Sequence, residues 1–140
     1  DENKYDSTLI VLVISARHHF QHRQLIRETW GSETLCKRTM LNNNTVQPST
    51  ICNIFFVIGM PSTLQDKHGI NNTKIIEESK LHNDIIHVPV LDIYSNLIYK
   101  VLLAFDYIDT TFKYTFVLKA DDDTYVNLNF LLKFKANSPS

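Results

Sequence analysis

Short apolar runs alternate with amphipathic segments along this chain, and the alternation predicts its strands and helices. Residues 9–14 are apolar at every position and largely β-branched, and residues 53–58 repeat the pattern from Ile54 onward. Such runs are typical of strands that are covered on both faces of a sheet. Residues 84–88 and residues 114–118 predict two further strands, and Pro89 should end the first of these two.

Helical periodicity fills the segments between these strands. Residues 21–30 and residues 94–108 carry apolar stripes, and the second segment shows the stronger pattern. Weaker helices are expected at residues 74–81 and 128–134, whereas the polar residues 42–50 predict a loop. The stripes consist of Leu25, Ile26, Thr29 and Trp30 in the first segment, and of Leu97, Val101, Ala104, Phe105 and Ile108 in the second.

The regular order of strand and helix indicates the class of fold. Because strand and helix alternate four times, we expect an α/β fold with a mostly parallel sheet, right-handed crossovers and flanking helices. A length of 140 residues suits one domain. The chain has three glycines and no glycine-rich phosphate loop, which argues against a dinucleotide-binding or P-loop protein.

Net charge and hydropathy narrow the classes of partner. A formal charge of −1 argues against nucleic acid, or an anionic membrane, held by bulk electrostatics. The longest apolar run, residues 9–14, is far shorter than the roughly 20 residues that span a bilayer. Any membrane anchor is therefore expected outside this chain.

Two cysteines and two glycosylation sequons bear on the cellular compartment. Cys36 and Cys52 flank the polar stretch, and either a disulfide or two free thiols fits their spacing. Asn43 and Asn71 begin Asn-x-Thr sequons in polar segments that are expected to be surface loops. These sequons favour the secretory lumen, although Asn-rich segments also produce them by chance.

Three consecutive carboxylates, Asp121, Asp122 and Asp123, follow the last predicted strand and are the clearest chemical signal in the chain. A parallel strand that ends in acids carries negative charge to the edge of the sheet where open α/β folds bind ligands. Carboxylate oxygens suit Mg²⁺ or Mn²⁺, which proteins usually hold together with substrate phosphates. The alternative interpretation is a solvated acidic turn.

Two pairs of charged side chains are candidate contacts for a nucleotide. Arg23 and Arg27 share one helix face, which suits a phosphate, although acids on the surface would also pair with them. Asp92 and Lys100 lie near the start of the strongest helix, where an anion is favoured. The alternative for that pair is an ordinary helix cap and a solvated lysine.

Three clustered histidines, His18, His19 and His22, lie between the first strand and the first helix. They lack the partner residues and the spacing of a zinc site, so they predict a polar loop. Residues 121–132 lack the glycine and the final glutamate of a calcium-binding EF-hand. The acidic cluster is therefore the better candidate for a cation site.

Four motifs, read together, resemble the β1,3-galactosyltransferase family, which includes β1,3-N-acetylglucosaminyltransferases and fringe-type enzymes. They are RQLIRETWG at residues 23–31, FVIG at 56–59, DIYSNL at 92–97 with Lys100, and LKADDDTYV at 118–126. They occur in the family's order and cover nearly the whole chain. The chain thus resembles the N-terminal, donor-binding half of the family's catalytic domain.

The resemblance implies a GT-A fold, which is a Rossmann-like nucleotide-sugar-binding fold. It implies transfer of a hexose, expected to be galactose, from a UDP-sugar to an acceptor glycan on protein or lipid, in β1,3 linkage. By this resemblance, Mn²⁺ or Mg²⁺ would be the cofactor. The protein would be located at the lumenal face of the Golgi membrane. By the same resemblance, Asp123 and Asp121 would bind the metal, and the donor would contact Arg23, Arg27, Asp92, Lys100, Asp121 and Asp122.

Departures from the family pattern leave two alternatives open. Pro89 and Val90 stand where many members have an acidic–aromatic pair, and Ile98 stands where they have threonine, so the transferred sugar could instead be N-acetylglucosamine. The family's domain continues past the acidic motif, and the catalytic base is expected downstream of Ser140. We therefore expect an incomplete fold that is inactive alone. The second alternative is a truncated, non-catalytic homologue that binds nucleotide or a protein partner.

Overall fold

A computed structural model describes residues 4–32, 52–128 and 130–131, which contain one four-stranded parallel sheet. Its strands are β1 (Tyr5–Ile14), β2 (Cys52–Met60), β3 (Ile85–Leu91) and β4 (Phe112–Asp121). Their spatial order is β3-β2-β1-β4, and every neighbouring pair is parallel. The predicted α/β, Rossmann-like arrangement with a parallel sheet and flanking helices is confirmed.

The helices follow the predicted order with one addition. They are α1 (Phe20–Glu28), α2 (Leu64–His68), α3 (Ile70–His82) and α4 (Leu97–Thr111), and a short 3₁₀ turn at Tyr94–Asn96 leads into α4. The sequence pattern did not predict α2, a single turn whose start is capped by Thr63, the acceptor of a 3.0 Å hydrogen bond from the Asp66 amide. None of the helices in the described part of the chain is long and apolar enough to cross a membrane.

Two apolar layers cover β1, which lies in the interior of the sheet. Side chains alternate between the faces of a strand, so successive β1 residues belong to different layers. Leu9, Val11 and Val13 pack with Ile26 and Trp30 on the α1 side. On the opposite side, β1 residues Ile10, Leu12 and Ile14 pack with Ala104 and Ile108 of α4. This two-sided burial is what the uninterrupted apolar run predicts.

The prediction that Pro89 ends the third strand was wrong. Strand β3 continues through this residue to Leu91, and its register against β2 shifts between Ile58 and Met60. Proline cannot donate to a sheet ladder, and it is tolerated where a strand has a free edge or an irregular register. Strand β3 is at the edge of the described sheet, which accounts for the continuation.

Two helices bury charged side chains in place of apolar ones from the predicted stripes. Helix α1 buries Arg23 and Ile26, whereas Leu25 is 60% exposed. Helix α4 buries Lys100 together with Ala104 and Ile108. An amphipathic pattern assigns charged residues to solvent. That assignment was therefore wrong for Arg23 and Lys100, whose partners lie outside their own helices.

Several sequence predictions fall wholly or partly outside the described residues. These are the loop at residues 42–50, the sequon at Asn43, Cys36, and the end of the helix predicted at residues 128–134. Cys52 is disulfide-bonded, and Cys36 is the other cysteine in the sequence. Asn71 is exposed, but it lies in the first turn of α3 and not in the predicted loop.

Candidate functional site

A cleft of about 330 Å³ opens where the carboxyl ends of β1 and β4 meet the start of α4. Its lining includes Ser15 and His19 after β1, Asp92 and Lys100 around the 3₁₀ turn, and Asp121, Asp122 and Asp123 at the end of β4. We call it the acidic cleft. Parallel strands bring their carboxyl ends to one edge, and ligands of open α/β sheets bind at that edge. The structure thus brings together five of the seven predicted site residues.

The three aspartates have different environments within the acidic cleft. Asp121 is the last residue of β4, where it pairs with Ile14 of β1, and Asp122 and Asp123 form the following turn. Asp121 and Asp123 are exposed, whereas the Asp122 side chain is only 10% exposed. The two exposed carboxylates are therefore accessible to a ligand in the cleft, and Asp122 is held by the protein.

Asp92 and Lys100 form a clamp across the floor of the cleft. The Lys100 Nζ lies 2.7 Å from Asp92 Oδ1 and donates a 2.6 Å hydrogen bond to the Ser15 carbonyl. The Arg17 amide donates to the second oxygen, Asp92 Oδ2, at 2.9 Å. Lys100 is 6% exposed, so the alternative of a solvated lysine is wrong. Asp92 makes no cap at the 3₁₀ turn or at α4, so the alternative of an ordinary cap is wrong for it too.

Gly59 allows β2 to approach this clamp closely. A Cβ atom at Gly59 would lie 2.8 Å from the Val90 carbonyl oxygen and 3.0 Å from the Asp92 Cα. The Gly59 carbonyl also accepts a 3.1 Å hydrogen bond from Arg17 Nη1. A larger residue would push β3 and Asp92 away from the sheet, which gives a steric reason for glycine here.

Arg23 and Arg27 lie behind the cleft, in a buried network of ion pairs. Arg23 is fully buried and binds both oxygens of Glu78, with Nε and Nη2 each 2.8 Å from one of them. Arg27 binds Asp84 through two 2.8 Å hydrogen bonds and lies 2.9 Å from Glu78 Oε2. Neither arginine lines the acidic cleft. Their predicted contact with a nucleotide is untested and stays a prediction.

Charge coupling within this network changes two pKa values. Burial by itself would raise the pKa of Glu78, but hydrogen bonds and positive charge from Arg23 and Arg27 outweigh burial and lower that pKa below its ordinary value. Burial would lower the pKa of Arg27, and Asp84 and Glu78 together reverse that effect and raise it. Both shifts favour the charged forms of Glu78 and Arg27 at neutral pH, as a buried ion pair requires.

The donor atoms of the acidic cleft are suited to a hard divalent cation. In the part of the chain that the structure describes, no three His, Cys, Asp or Glu side chains surround a point as a closed metal site would. The cleft instead offers the exposed oxygens of Asp121 and Asp123. A site with only one or two carboxylates suits Mg²⁺ or Mn²⁺, because a phosphate ligand and water complete the coordination shell.

Sequence reasoning missed Ser15 and treated His19 as part of a polar loop. Ser15 follows the last residue of β1, and the rule that ligands bind at carboxyl ends of parallel strands was a signal that could have identified it. His19 contacts Asp122, which is 103 positions away. Glu78 had no local signal, because its partners, Arg23 and Arg27, belong to α1.

Comparison with known proteins identifies similar chains. The family model described as galactosyltransferase matches residues 21–139. Human beta-1,3-galactosyltransferase 5 is 29% identical over 124 residues, which are 88% of this chain and 35% of that protein. The Rattus norvegicus lactosylceramide 1,3-N-acetyl-beta-D-glucosaminyltransferase is 29% identical over 130 residues, 92% of this chain and 32% of that protein.

A third relative extends the comparison. Beta-1,3-galactosyltransferase 2 of Mus musculus is 32% identical over 125 residues, which are 89% of this chain and 26% of that protein. The chain thus spans about a third, or less, of the length of these curated relatives. The family match, residues 21–139, includes Asp92, Lys100 and the three aspartates of the acidic cleft, whereas Ser15 and His19 precede it.

Proposed function

The chain belongs to the galactosyltransferase family, and from that membership we propose that it forms the donor-binding part of a β1,3-glycosyltransferase. The reaction would move a hexose from a UDP-sugar to a hydroxyl of an acceptor glycan on protein or lipid. Relatives named for galactosyl transfer and for N-acetylglucosaminyl transfer support this class about equally. We favour galactose as the transferred sugar, because the matching family is described by that activity.

The observation that carries the proposal is the position of three carboxylates and a buried lysine in one cleft. They meet at the carboxyl edge of a parallel sheet, where a nucleotide sugar would be bound. Asp121 and Asp123 would hold Mn²⁺ or Mg²⁺, and Asp122, Asp92 and Lys100 would contact the donor. When bound, the metal supplies positive charge that stabilises the departing diphosphate.

Lys100 is the residue of this chain best placed to assist that stabilisation. An ammonium group has three donors, and two of those of Lys100 are directed to Ser15 and Asp92. The third is available to a phosphate oxygen of the donor. Asp92 fixes the position of this ammonium, because both of its carboxylate oxygens are already engaged by Lys100 and the Arg17 amide.

For Arg23 and Arg27 we favour a role behind the cleft over direct contact with the nucleotide. Their guanidinium groups are engaged with Glu78 and Asp84, and Arg23 has no exposed surface. For localisation we propose the lumenal face of the Golgi membrane, with the anchor outside the described residues. The exposed sequon at Asn71 supports exposure to the glycosylation machinery of the secretory pathway.

We predict that UDP and Mn²⁺ bind interdependently at Asp123, because a cation held by few carboxylates needs the diphosphate to complete its shell. Calorimetric titration of UDP should show weaker binding after chelation of the metal and in Asp123→Ala. Asp106→Ala removes an exposed carboxylate on α4 and is the matched control, with binding expected to be unchanged. Equal UDP affinity with and without metal would contradict the proposal.

Assays of sugar transfer separate an enzyme from a non-catalytic homologue. They should use the full-length protein with UDP-galactose and UDP-N-acetylglucosamine, each offered with galactose-, N-acetylglucosamine- and N-acetylgalactosamine-terminated acceptors. Transfer from one donor identifies the sugar. UDP binding in the presence of Mn²⁺, without transfer from either donor to any acceptor, would favour the non-catalytic alternative.

A further inference from the structure

Asp122 differs from its two neighbours because the protein holds it through a single oxygen atom. Asp122 Oδ2 lies 2.8 Å from Ser15 Oγ and 2.8 Å from His19 Nδ1. Among the described residues, no side chain contributes a hydrogen bond to the other oxygen, Oδ1. The side chain is nevertheless mostly buried and lines the acidic cleft. One oxygen is thus fixed by the protein, and the other is left for a ligand.

The direction of the Ser15 hydrogen bond follows from its other partner. Arg23 Nη1 donates to Ser15 Oγ at 3.0 Å, and a guanidinium group can only donate. Ser15 Oγ accepts that bond and has one proton to give, and an ionised carboxylate can only accept. The shorter contact of this hydroxyl, to Asp122, is therefore a donated hydrogen bond.

The backbone around Ser15 is fixed as firmly as its hydroxyl. Its amide donates to the Val57 carbonyl at 3.1 Å, and its own carbonyl accepts from Lys100 at 2.6 Å. Ser15 is 1% exposed. Arg23 also donates to the Ala16 carbonyl at 2.6 Å, so one buried guanidinium connects Glu78 to the loop that carries Ser15.

His19 holds Asp122 from the other side. Its Nδ1 must carry a proton to donate to an ionised carboxylate, which assigns the Nδ1–H tautomer or the charged ring. The ring stacks on His22, with centroids 4.3 Å apart, and meets the edge of His18. These contacts limit the rotation of the imidazole, so its hydrogen bond restrains the carboxylate in turn.

We propose that Ser15 and His19 are positioning residues for Asp122, and that they direct Asp122 Oδ1 at the metal-bound nucleotide sugar. This inference rests on the proposed function. The terminal torsion of an aspartate is broad, so an unrestrained carboxylate would lose rotational freedom on binding. Two hydrogen bonds to one oxygen remove that freedom beforehand. Loss of such a supporting contact at a metal site typically reduces affinity or activity by about 10–100-fold.

The test compares three histidine variants in the full-length protein. His19→Phe keeps an aromatic ring in the stack and removes Nδ1, whereas His19→Asn supplies an amide N–H near the position of Nδ1. His22→Phe is the matched control, since His22 belongs to the same stack but is exposed, and in the described residues it is His19 that bonds Asp122. The measurements are UDP binding by calorimetry with saturating Mn²⁺, and the melting temperature of each variant without ligand.

We expect His19→Phe to weaken UDP binding in Mn²⁺ about tenfold at an unchanged melting temperature. His19→Asn should recover most of the affinity, and His22→Phe should bind like the wild type. Ser15→Ala should weaken binding similarly, and the His19 variants decide the matter if burial prevents Ser15→Ala from folding.

Three results would overturn the inference. If the wild type binds UDP with Mn²⁺ and His19→Phe binds equally well, the positioning role is wrong and the proposed function stands. If the wild type binds no UDP in the presence of Mn²⁺, both the proposed function and the positioning role are wrong. A loss of affinity in His22→Phe equal to that in His19→Phe would also count against it, because replacement of an imidazole anywhere in the stack, and not the loss of Nδ1 at His19, would then be responsible.

Discussion

The partners of buried charged residues are the part of the site that the sequence could not predict. The pair Arg23 and Arg27 was predicted to face an anion, and the structure supplies anions from within the protein, Glu78 and Asp84. A guanidinium at helical spacing gives no indication of whether its acceptor is a ligand or a carboxylate far along the chain. Asp121, Asp122 and Asp123 could be placed because their position depends only on the strand before them.

At the scale of residues, Glu78 predicts how stability depends on pH. The pKa of Glu78 is lowered in the folded protein from an ordinary value of 4.5, so the unfolded chain takes up its proton at a higher pH than the folded chain does. Its contribution to the free energy of unfolding is therefore complete above about pH 4.5 and is lost as the pH falls through the lowered value.

Melting temperatures between pH 7 and pH 3 test this expectation. The wild type should lose stability steeply below about pH 4.5. Glu78→Gln should be less stable at pH 7, because it leaves Arg23 buried without a counter-charge, and its melting temperature should fall less on acidification. Glu77→Gln, at an exposed neighbouring position, is the control and should follow the wild type. Parallel curves for the wild type and Glu78→Gln would show that this carboxylate does not control acid stability.

Strands were predicted more accurately than helix faces, and the reason is physical. A strand segment that is covered on both sides is apolar at successive positions, so residues 9–14 of β1 and 54–58 of β2 were evident without any knowledge of their neighbours. The end of β3 was not evident from the sequence. Strand β3 can continue through Pro89 because it lies at an edge of the sheet, and that position is known only once the sheet is assembled. The buried face of α1 was assigned incorrectly for a similar reason, since Glu78 of α3 makes burial of Arg23 favourable.

At the scale of elements, the contact of β2 with the end of β3 predicts the effect of Gly59→Ala. The new methyl group would lie 2.8 Å from the Val90 carbonyl and 3.0 Å from the Asp92 Cα, so both must move. We expect a loss of about 1–3 kcal/mol in the free energy of unfolding, as for an overpacked core, together with weaker UDP binding through displacement of the Asp92 and Lys100 clamp.

Urea unfolding and UDP titration of the same protein preparation measure both effects. Ser62→Ala changes an exposed residue just beyond β2 and should leave stability and binding as they are in the wild type. Normal UDP affinity in a destabilised Gly59→Ala protein would contradict the second effect. It would show that the packing of β3 against Gly59 does not control the geometry of the cleft.

The whole molecule positions the site through pairings that are distant in sequence. Ser15 and Asp122 are 107 residues apart, and Arg23 and Glu78 are 55 apart. Neither contact can be derived from local periodicity. The sequence did predict the class of fold, an α/β fold with a parallel sheet, that brings these residues together. The motifs identified the carboxylates and the lysine, and three-dimensional assembly added Ser15, His19 and Arg17 around them.

At this scale, we predict that Mn²⁺ and UDP stabilise the fold only as a pair. A ligand that binds only the folded state stabilises it by about 2.7 kcal/mol at 100 times its dissociation constant. The melting temperature should therefore rise with Mn²⁺ and UDP together, and change little with either one alone. Uridine with Mn²⁺ is the control, because it lacks the diphosphate. A full shift with UDP alone would show that the nucleotide needs no metal.

The pairing of β1 with β4 also has a consequence for the order of events during synthesis. Strand β1 leaves the ribosome before β4, its neighbour on one side, which is translated about a hundred residues later. Until then the nascent chain carries an apolar strand with one open edge, a state prone to misassembly and one that chaperones recognise. The acidic cleft is completed by the same late pairing, so a chain interrupted before Phe112 would have β1 and α1 but would lack Asp121, Asp122 and Asp123.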